Sequence, residues 1–159
     1  MTPTEVLEQI ADHDKGVLAR LMELYLHDLS EFDDDLRLNV HGMFGYRWLD
    51  HYWTDEGRFP YFIRSAGDLA GFALVRESAG EMSMAEFFIR RGYRKSGLSR
   101  SAAAEAFLRH PGPWNVQHSR RNEIAANFWP KVIASVSRGP IERTELPDGD
   151  IIYSFVVPN

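Results

Sequence analysis

Between residues 91 and 100 the segment RGYRKSGLSR gathers four cations, Arg91, Arg94, Lys95 and Arg100, around Gly97. An apolar run ending in Phe87-Phe88-Ile89 precedes it and an alanine-rich run follows, so a buried strand should enter this loop and a helix should leave it from about Gly97 to Leu108. A helix N-terminus presents unpaired backbone N–H groups and a partial positive charge. With full charges added around it, the loop reads as an anion site, most naturally for phosphate. Glu86 lies just upstream, a carboxylate in an otherwise apolar strand, where burial would raise its pKa toward the range of a general base. A structural role, pairing with an arginine at a strand edge, is the alternative. His118 ends a later strand segment, WNVQHS, and its ordinary pKa near neutrality suits acid or base work, although a solvent-facing histidine at a strand end is the simpler reading.

The elements that position these groups follow from periodicity. Val17, Leu18, Leu21, Met22, Leu24 and Tyr25 recur at three-to-four spacing and predict an amphipathic helix over 14–27. Upstream, TPTE at 2–5 fits a capping box, whereas TEVLEQIA fits a short strand before Asp12-His13-Asp14. YRWLDHYW (46–53) reads as a turn of helix. YFIRS and DLAGFALVRE, joined at Ala66-Gly67-Asp68, read as antiparallel strands, and Ser78-Ala79-Gly80 leads into the strand that ends at Ile89. A strand-helix-strand crossover then spans about 84–118. NEIAANFWPKVIAS forms another helix, with Pro130 a source of a kink. PIERTEL and DIIYSFVV close the chain as a hairpin. The order predicts an α+β fold on a mixed, mostly antiparallel sheet flanked by helices.

At 159 residues with 44% hydrophobic content, one domain over 1–159 is expected. A net charge of -5 argues against nucleic acid as the main partner. The acidic stretch Asp28, Glu31, Asp33, Asp34 and Asp35 could draw a cationic substrate or be a solvated helix end. Cysteine is absent, which removes disulfides, thiolate catalysis and zinc–cysteine sites. The six histidines include no i, i+4 pair, and no metal is expected. Without a signal-peptide pattern or a bilayer-length apolar run, a cytoplasmic protein with no membrane partner is expected. GLSRS (97–101) imitates a hydrolase nucleophile elbow, but Ser101 occupies its final glycine position.

RKSGLS (94–99) resembles the Gln/Arg-x-x-Gly-x-Gly/Ala loop of the GNAT family of N-acetyltransferases, with Arg94 and Gly97 in the matching slots and Ser99 in place of the last small residue. NEIAANFWPK resembles that family's Asn-x-x-Ala-x-x-Phe-Tyr-x-Lys helix through Asn122, Ala125, Phe128 and Lys131, with Trp129 where the pattern has tyrosine. RWLDHYW, LAGFALV, AEFFIRRGYRKSG, GPW and FWPKVI are similar to a subgroup of acetyltransferases predicted from sequence. The resemblance implies a GNAT fold with acetyl-coenzyme A as co-substrate. It implies that the backbone of Phe88 and Ile89 meets the pantetheine amides where the central strand splays from WNVQHS. It also implies that Arg94, Lys95, Ser96, Gly97, Leu98 and Ser99 cradle the pyrophosphate, that Arg100 touches a phosphate, that Asn122 contacts the pantetheine arm, and that Trp129 walls the channel or packs in the core.

The implied activity is direct acetyl transfer to a primary amine of a small molecule or peptide. Glu86 is the first candidate base and His118 the second. Indole N–H is no proton source at ordinary pH, so Trp129 leaves thiolate protonation to water, the new ammonium, Tyr93 or Tyr153. Tyr46, Trp48, His51, Tyr52 and Trp53 are the aromatic candidates for acceptor recognition. The alternative is a non-catalytic acyl-CoA-binding sensor on the same fold. The Trp-rich and terminal strand segments offer a face for a homodimer.

Overall fold

The computed structural model describes residues 5–159. The capping-box reading of residues 2–5 therefore lies, apart from Glu5, outside the described residues, and the strand reading appears as β1, Leu7–Gln9. A 3-10 turn at Asp12–Asp14 leads into α1, Lys15–Leu29, followed by α2, His51–Thr54. Strands β2 (Arg58–Ser65), β3 (Asp68–Ser78) and β4 (Glu81–Ile89) form a meander through two-residue turns at Ala66-Gly67 and Ala79-Gly80. Helix α3 (Leu98–Arg109) crosses to β5 (Gly112–His118), α4 (Glu123–Val136) follows, and the hairpin β6 (Glu142–Glu145) and β7 (Ile151–Val157) completes the chain.

The seven strands lie in the order β1-β2-β3-β4-β5-β7-β6, antiparallel throughout except for β4 beside β5. Period-two alternation gives the sheet two apolar faces. Phe62, Phe72, Leu74 and Phe88 meet α1 and Tyr52 of α2, whereas Ile63, Val75, Met84, Ile89, Trp114 and Val116 meet α3 and α4. Helix α4 runs through Pro130, whose missing N–H leaves the Ala126 carbonyl without its helical donor.

A register shift between Leu74 and Val75 decides where the chemistry of β4 points. Val75 is opposite Met84 but Leu74 is opposite Glu86, so Ala85 is the extra residue of a β-bulge. Regular alternation would put Glu86 beside Met84 on the α3/α4 face. The bulge turns it to the face of α1 instead.

At Gly71 the strands approach closely, for a Cβ built there would lie 1.9 Å from the Phe88 carbonyl oxygen. Backbone cannot yield as a flexible side chain would. Gly71→Ala should therefore destabilise the protein by about 3 kcal/mol, as a shift in the urea midpoint with an unchanged slope. A midpoint within experimental error of the wild type would mean that β3 and β4 separate freely here.

Candidate functional site

β4 and β5 pair only at Met82 with Trp114 and Ser83 with Asn115. The Ser83 hydroxyl and Asn115 Oδ1, 2.9 Å apart, close the fork. Beyond it the strands diverge, and a groove of about 1410 Å³ follows β4 from Ser83 to Ile89, bounded by the loop after α1 and by the start of α4. The Arg90 N–H donates to Ala70 of β3 at 2.7 Å, so by alternation Phe88 also turns its amide and carbonyl to β3. The backbone groups that face the fork are those of Phe87 and Ile89. Phe88 is thus displaced from its expected backbone role. The Ile89 carbonyl already accepts from Arg94 Nε at 2.7 Å, leaving the Ile89 N–H facing the fork.

The basic loop forms a 3-10 turn, Arg91–Tyr93, and then enters α3 through Gly97, whose φ of +82° is left-handed. Glycine adopts that conformation without the Cβ penalty other residues incur, and no atom lies within 4 Å of where a Cβ would be. The first helical bond is from Ser101 N–H to the Gly97 carbonyl, so the N–H groups of Leu98, Ser99 and Arg100 lack helical acceptors. An anion would meet them there. The side chains behave differently from the sequence expectation. Arg91 and Arg94 both bind Asp28 of α1, at 2.8 and 2.6 Å, so the Arg94 guanidinium braces the loop rather than standing free. Burial works to raise the Asp28 carboxyl, but the hydrogen bonds from Arg94 and Arg91 outweigh it and hold it below the usual carboxylate range. Ser96 Oγ donates to the Tyr93 carbonyl at 2.7 Å, and Leu98 is buried in the core, so these two offer only backbone to a ligand. Lys95 and Arg100 are exposed without an ion-pair partner among the described residues.

Across the groove Asn122 caps α4, its Oδ1 accepting from the Ala125 N–H at 3.1 Å, so only its amide Nδ2 remains to serve a ligand. Trp129 lines the groove and also belongs to the core, edge-on to Phe87 at 5.3 Å and to Phe128 at 4.8 Å. The core reading of Trp129 holds.

Glu86 lies in the same groove. Loss of hydration pushes its carboxyl up to about 7, an effect that a hydrogen bond from the Tyr25 hydroxyl only partly opposes. Among the described residues no arginine forms an ion pair with it, so the structural alternative of a strand-edge pair fails. Tyr25 is raised well above an ordinary phenol, first by burial and then by the Glu86 charge, and burial followed by Glu86 likewise raises Tyr46. Tyr25 is fixed edge-to-face on Phe72 at 5.4 Å.

His118 is not a solvent-facing residue. It is 8% exposed, and its Nδ1 lies 2.8 Å from the Ser119 carbonyl while Nε2 lies 3.0 Å from the Tyr153 hydroxyl. With Nδ1–H donating to the carbonyl and Nε2 hydrogen-bonded to Tyr153, both ring nitrogens are engaged within the protein. Tyr153 is thereby occupied, and Tyr93 donates to Asp68 at 3.2 Å, so neither stands ready as an acid. Of the aromatic candidates, Tyr46, Trp48 and Tyr52 line the groove. Trp53 instead donates to the Ile10 carbonyl at 3.0 Å, and His51 pairs with Asp55 at 2.8 Å. Sequence reading also missed Glu23, whose carboxylate accepts from the N–H groups of Phe44 and Gly45 at 2.7 and 3.0 Å and so holds the strap that carries Tyr46. Of the acidic stretch, Asp28 is answered by the loop arginines and Asp34 by Arg121 at 3.9 Å, while Glu31, Asp33 and Asp35 line the groove without an ion-pair partner among the described residues.

Comparison with solved structures identifies this architecture as the GNAT fold. An acetyltransferase from Thermus thermophilus superposes with a TM-score of 0.68 at 15% identity, over 96% of this chain and 97% of that one. The PaiA N-acetyltransferase of Thermoplasma acidophilum, in complex with coenzyme A, gives 0.65 at 9% identity over 96% and 99%. A GNAT-family acetyltransferase from Staphylococcus aureus gives 0.63 at 9% identity over 93% and 96%. No protein-family model and no curated protein sequence matches the chain. The likeness lies in the fold. Among the described residues no cluster of side chains is suited to a metal ion, and no helix is long and apolar enough to cross a membrane.

Proposed function

We propose that the protein is an acetyl-CoA-dependent N-acetyltransferase that moves an acetyl group directly to a primary amine. The observation that supports this is one groove that reaches the unpaired first turn of α3 at Ser99 and, beside the fork of β4 and β5, holds a carboxyl pushed up to about 7. The coenzyme A bound to the Thermoplasma neighbour supports the donor. The residues present fit such a donor, since the N–H groups of Leu98, Ser99 and Arg100 lack helical acceptors and Ser99, Ile89 and Asn122 line one groove.

Coenzyme A supplies an acetyl thioester, and the chain supplies position and proton control. Glu86, ionised in part near neutral pH, takes a proton from the acceptor ammonium and leaves the neutral amine that attacks. Backbone N–H groups at the fork polarise the carbonyl. The departing thiolate, with an ordinary pKa of about 8.5, needs a proton, and neither Tyr25 nor Tyr46 is a good source because both are raised far above that value. The N–H of the newly acylated ammonium is the strongest acid at hand. Trp129 in the tyrosine slot thus does not prevent turnover, although it is the feature that favours a non-catalytic acyl-CoA sensor.

Calorimetric titration with acetyl-CoA, then a free-thiol assay against amines, polyamines, aminoglycosides and peptide N-termini, tests the proposal. Micromolar binding with amine-dependent thiol release is expected. Binding without release from any acceptor would select the sensor, and absence of binding would overturn both readings.

A further inference from the structure

One end of the groove carries two arginines, Arg58 and Arg76, with a single carboxylate between them among the described residues. Arg58 of β2 and Arg76 of β3 stand directly opposite one another, a cross-strand arrangement that is unfavourable for like charges. The Arg58 side chain is only 13% exposed, and its one carboxylate neighbour is Asp55 at 3.7 Å, which is itself held by His51 at 2.8 Å. Arg76 has no ion-pair partner among the described residues. Beside them the hydroxyl of Tyr52, a residue 3% exposed, makes no well-formed hydrogen bond, although Tyr46 and Arg58 are its polar neighbours. A buried hydroxyl so poorly matched beside a largely covered guanidinium favours an acceptor oxygen from outside the chain. The Arg58 guanidinium lies over the Tyr52 ring at 5.2 Å and the Trp48 ring at 5.8 Å, which aims it into the groove that all these residues line.

We propose that the acceptor is a small amine that also bears a carboxylate, of the amino-acid type, with its amine at Glu86 and its carboxylate on Arg58 and the Tyr52 hydroxyl. Tyr46 and Tyr52 line the same groove, each within the field of both the Glu86 carboxyl and the Arg58 guanidinium. The distance is set by the sheet. Glu86 is opposite Leu74 on one side of β3, and Arg58 is opposite Arg76 on the other, so their backbones lie roughly 12 Å apart and the two long side chains reach toward each other across that gap. That spacing suits an amine and a carboxylate a few bonds apart, with a hydrogen bond at each end, and not the repeated cations of a polyamine. A purely structural Arg58, stacking Trp48 against Tyr52, would leave the poorly matched Tyr52 hydroxyl unexplained, whereas the exposed Arg76 is answered by water.

This inference rests on the acetyltransferase reading, and the experiment separates the two. The full chain, Arg58→Gln and Tyr52→Phe are assayed with acetyl-CoA against amino acids paired with their decarboxylated amines, and against O-phosphoethanolamine paired with ethanolamine. Binding of the same compounds is measured by calorimetry on protein saturated with coenzyme A, and thermal midpoints report folding. Amino acids should exceed their decarboxylated partners at least tenfold in kcat/KM. Arg58→Gln should remove that preference through KM, with kcat and acetyl-CoA affinity nearly unchanged, and Tyr52→Phe should weaken it about threefold. Equal treatment of paired amines by the wild type, or an Arg58→Gln loss that falls on kcat for both members of a pair, overturns the proposal. A preference confined to the phosphate pair would keep the anion pole and overturn the carboxylate. Amino-acid binding that depends on Arg58 without any acetyl transfer would overturn the enzyme reading, and with it the acceptor role, while supporting the carboxylate site itself.

Discussion

Glu86→Gln should lower kcat by about 10²–10³-fold, leave acetyl-CoA affinity within about twofold, and at the same time make the protein more stable above neutral pH. The kinetic part follows from the magnitude of general-base catalysis, and it removes a specific signature. In the wild type kcat/KM should rise with pH through about 7, because only the ionised carboxylate can accept the amine proton. The variant should lose that limb. The stability part follows from the same carboxyl. Its folded pKa of about 7 lies above the value of 4.5 it has when free in solution, so the folded state holds the proton more tightly. Below pH 4.5 Glu86 is protonated in both states and resembles the glutamine. As pH rises from 4.5 through 7 the unfolded chain releases its proton first, and the wild type loses stability up to about 2–3 kcal/mol, the cost of a charge held away from water. Thermal midpoints at about pH 5 and about pH 8.5, either side of that window, read this directly. A gap between variant and wild type that is the same at both pH values, with turnover intact, would return Glu86 to a structural role.

That a carboxylate should be unstable where it acts explains why the surrounding groups are phenols. Tyr25 can donate to Glu86 without carrying a charge, and burial keeps Tyr25 and Tyr46 protonated across the working range. A cation in their place would pull Glu86 back toward an ordinary carboxylate and remove its basicity near neutrality. Arg58 acts on the same tyrosines without pairing with Glu86, so on the proposed reading an anion site and a basic carboxyl share one groove.

Much of the frame was legible because it is written locally. The three-to-four spacing from Val17 to Tyr25 predicts α1, the Ala-Gly pairs predict both turns of the meander, and the change from Phe88-Ile89 to the alanine run predicts the strand, loop and helix around Gly97. What the sequence hid depends on pairing across long separations. Arg94 looks like a free cation until α1 brings Asp28 to it, 66 residues away in the chain. His118 looks exposed until β7 aligns Tyr153 with Val116 and places the phenol on its ring. Phe88 and Ile89 look equivalent as backbone partners, and only the register with β3 shows that one faces its neighbour strand and the other the fork. The bulge at Ala85 has no signature of its own, yet it places Glu86 among Tyr25 and Tyr46. The Arg58–Arg76 juxtaposition likewise arises from β2–β3 register, and neither residue stands out in a sequence with 18 lysines and arginines.

Gly97→Asp should weaken acetyl-CoA binding by about 10³-fold while the protein remains folded. The position is open, with nothing within 4 Å of a Cβ, so the substitution costs only the left-handed backbone, about 1 kcal/mol and less for aspartate than for most residues. The loop on either side is braced independently, by Arg94 on Ile89 and Asp28 and by Leu98 in the core. The carboxylate would stand against the same first-turn N–H groups that a pyrophosphate needs, and would repel it. A charge pair about 4 Å apart near a protein surface is worth about 4 kcal/mol, which corresponds to about 10³ in the dissociation constant. Gly97→Ala separates bulk from charge, since it carries the backbone strain and the Cβ but no repulsion, and a loss of only about tenfold is expected. Both effects are read by calorimetry, and the charge component should shrink as salt is raised. A folded Gly97→Asp protein with wild-type affinity would mean that the turn is only a helix entrance and that the donor's phosphates lie elsewhere along the groove.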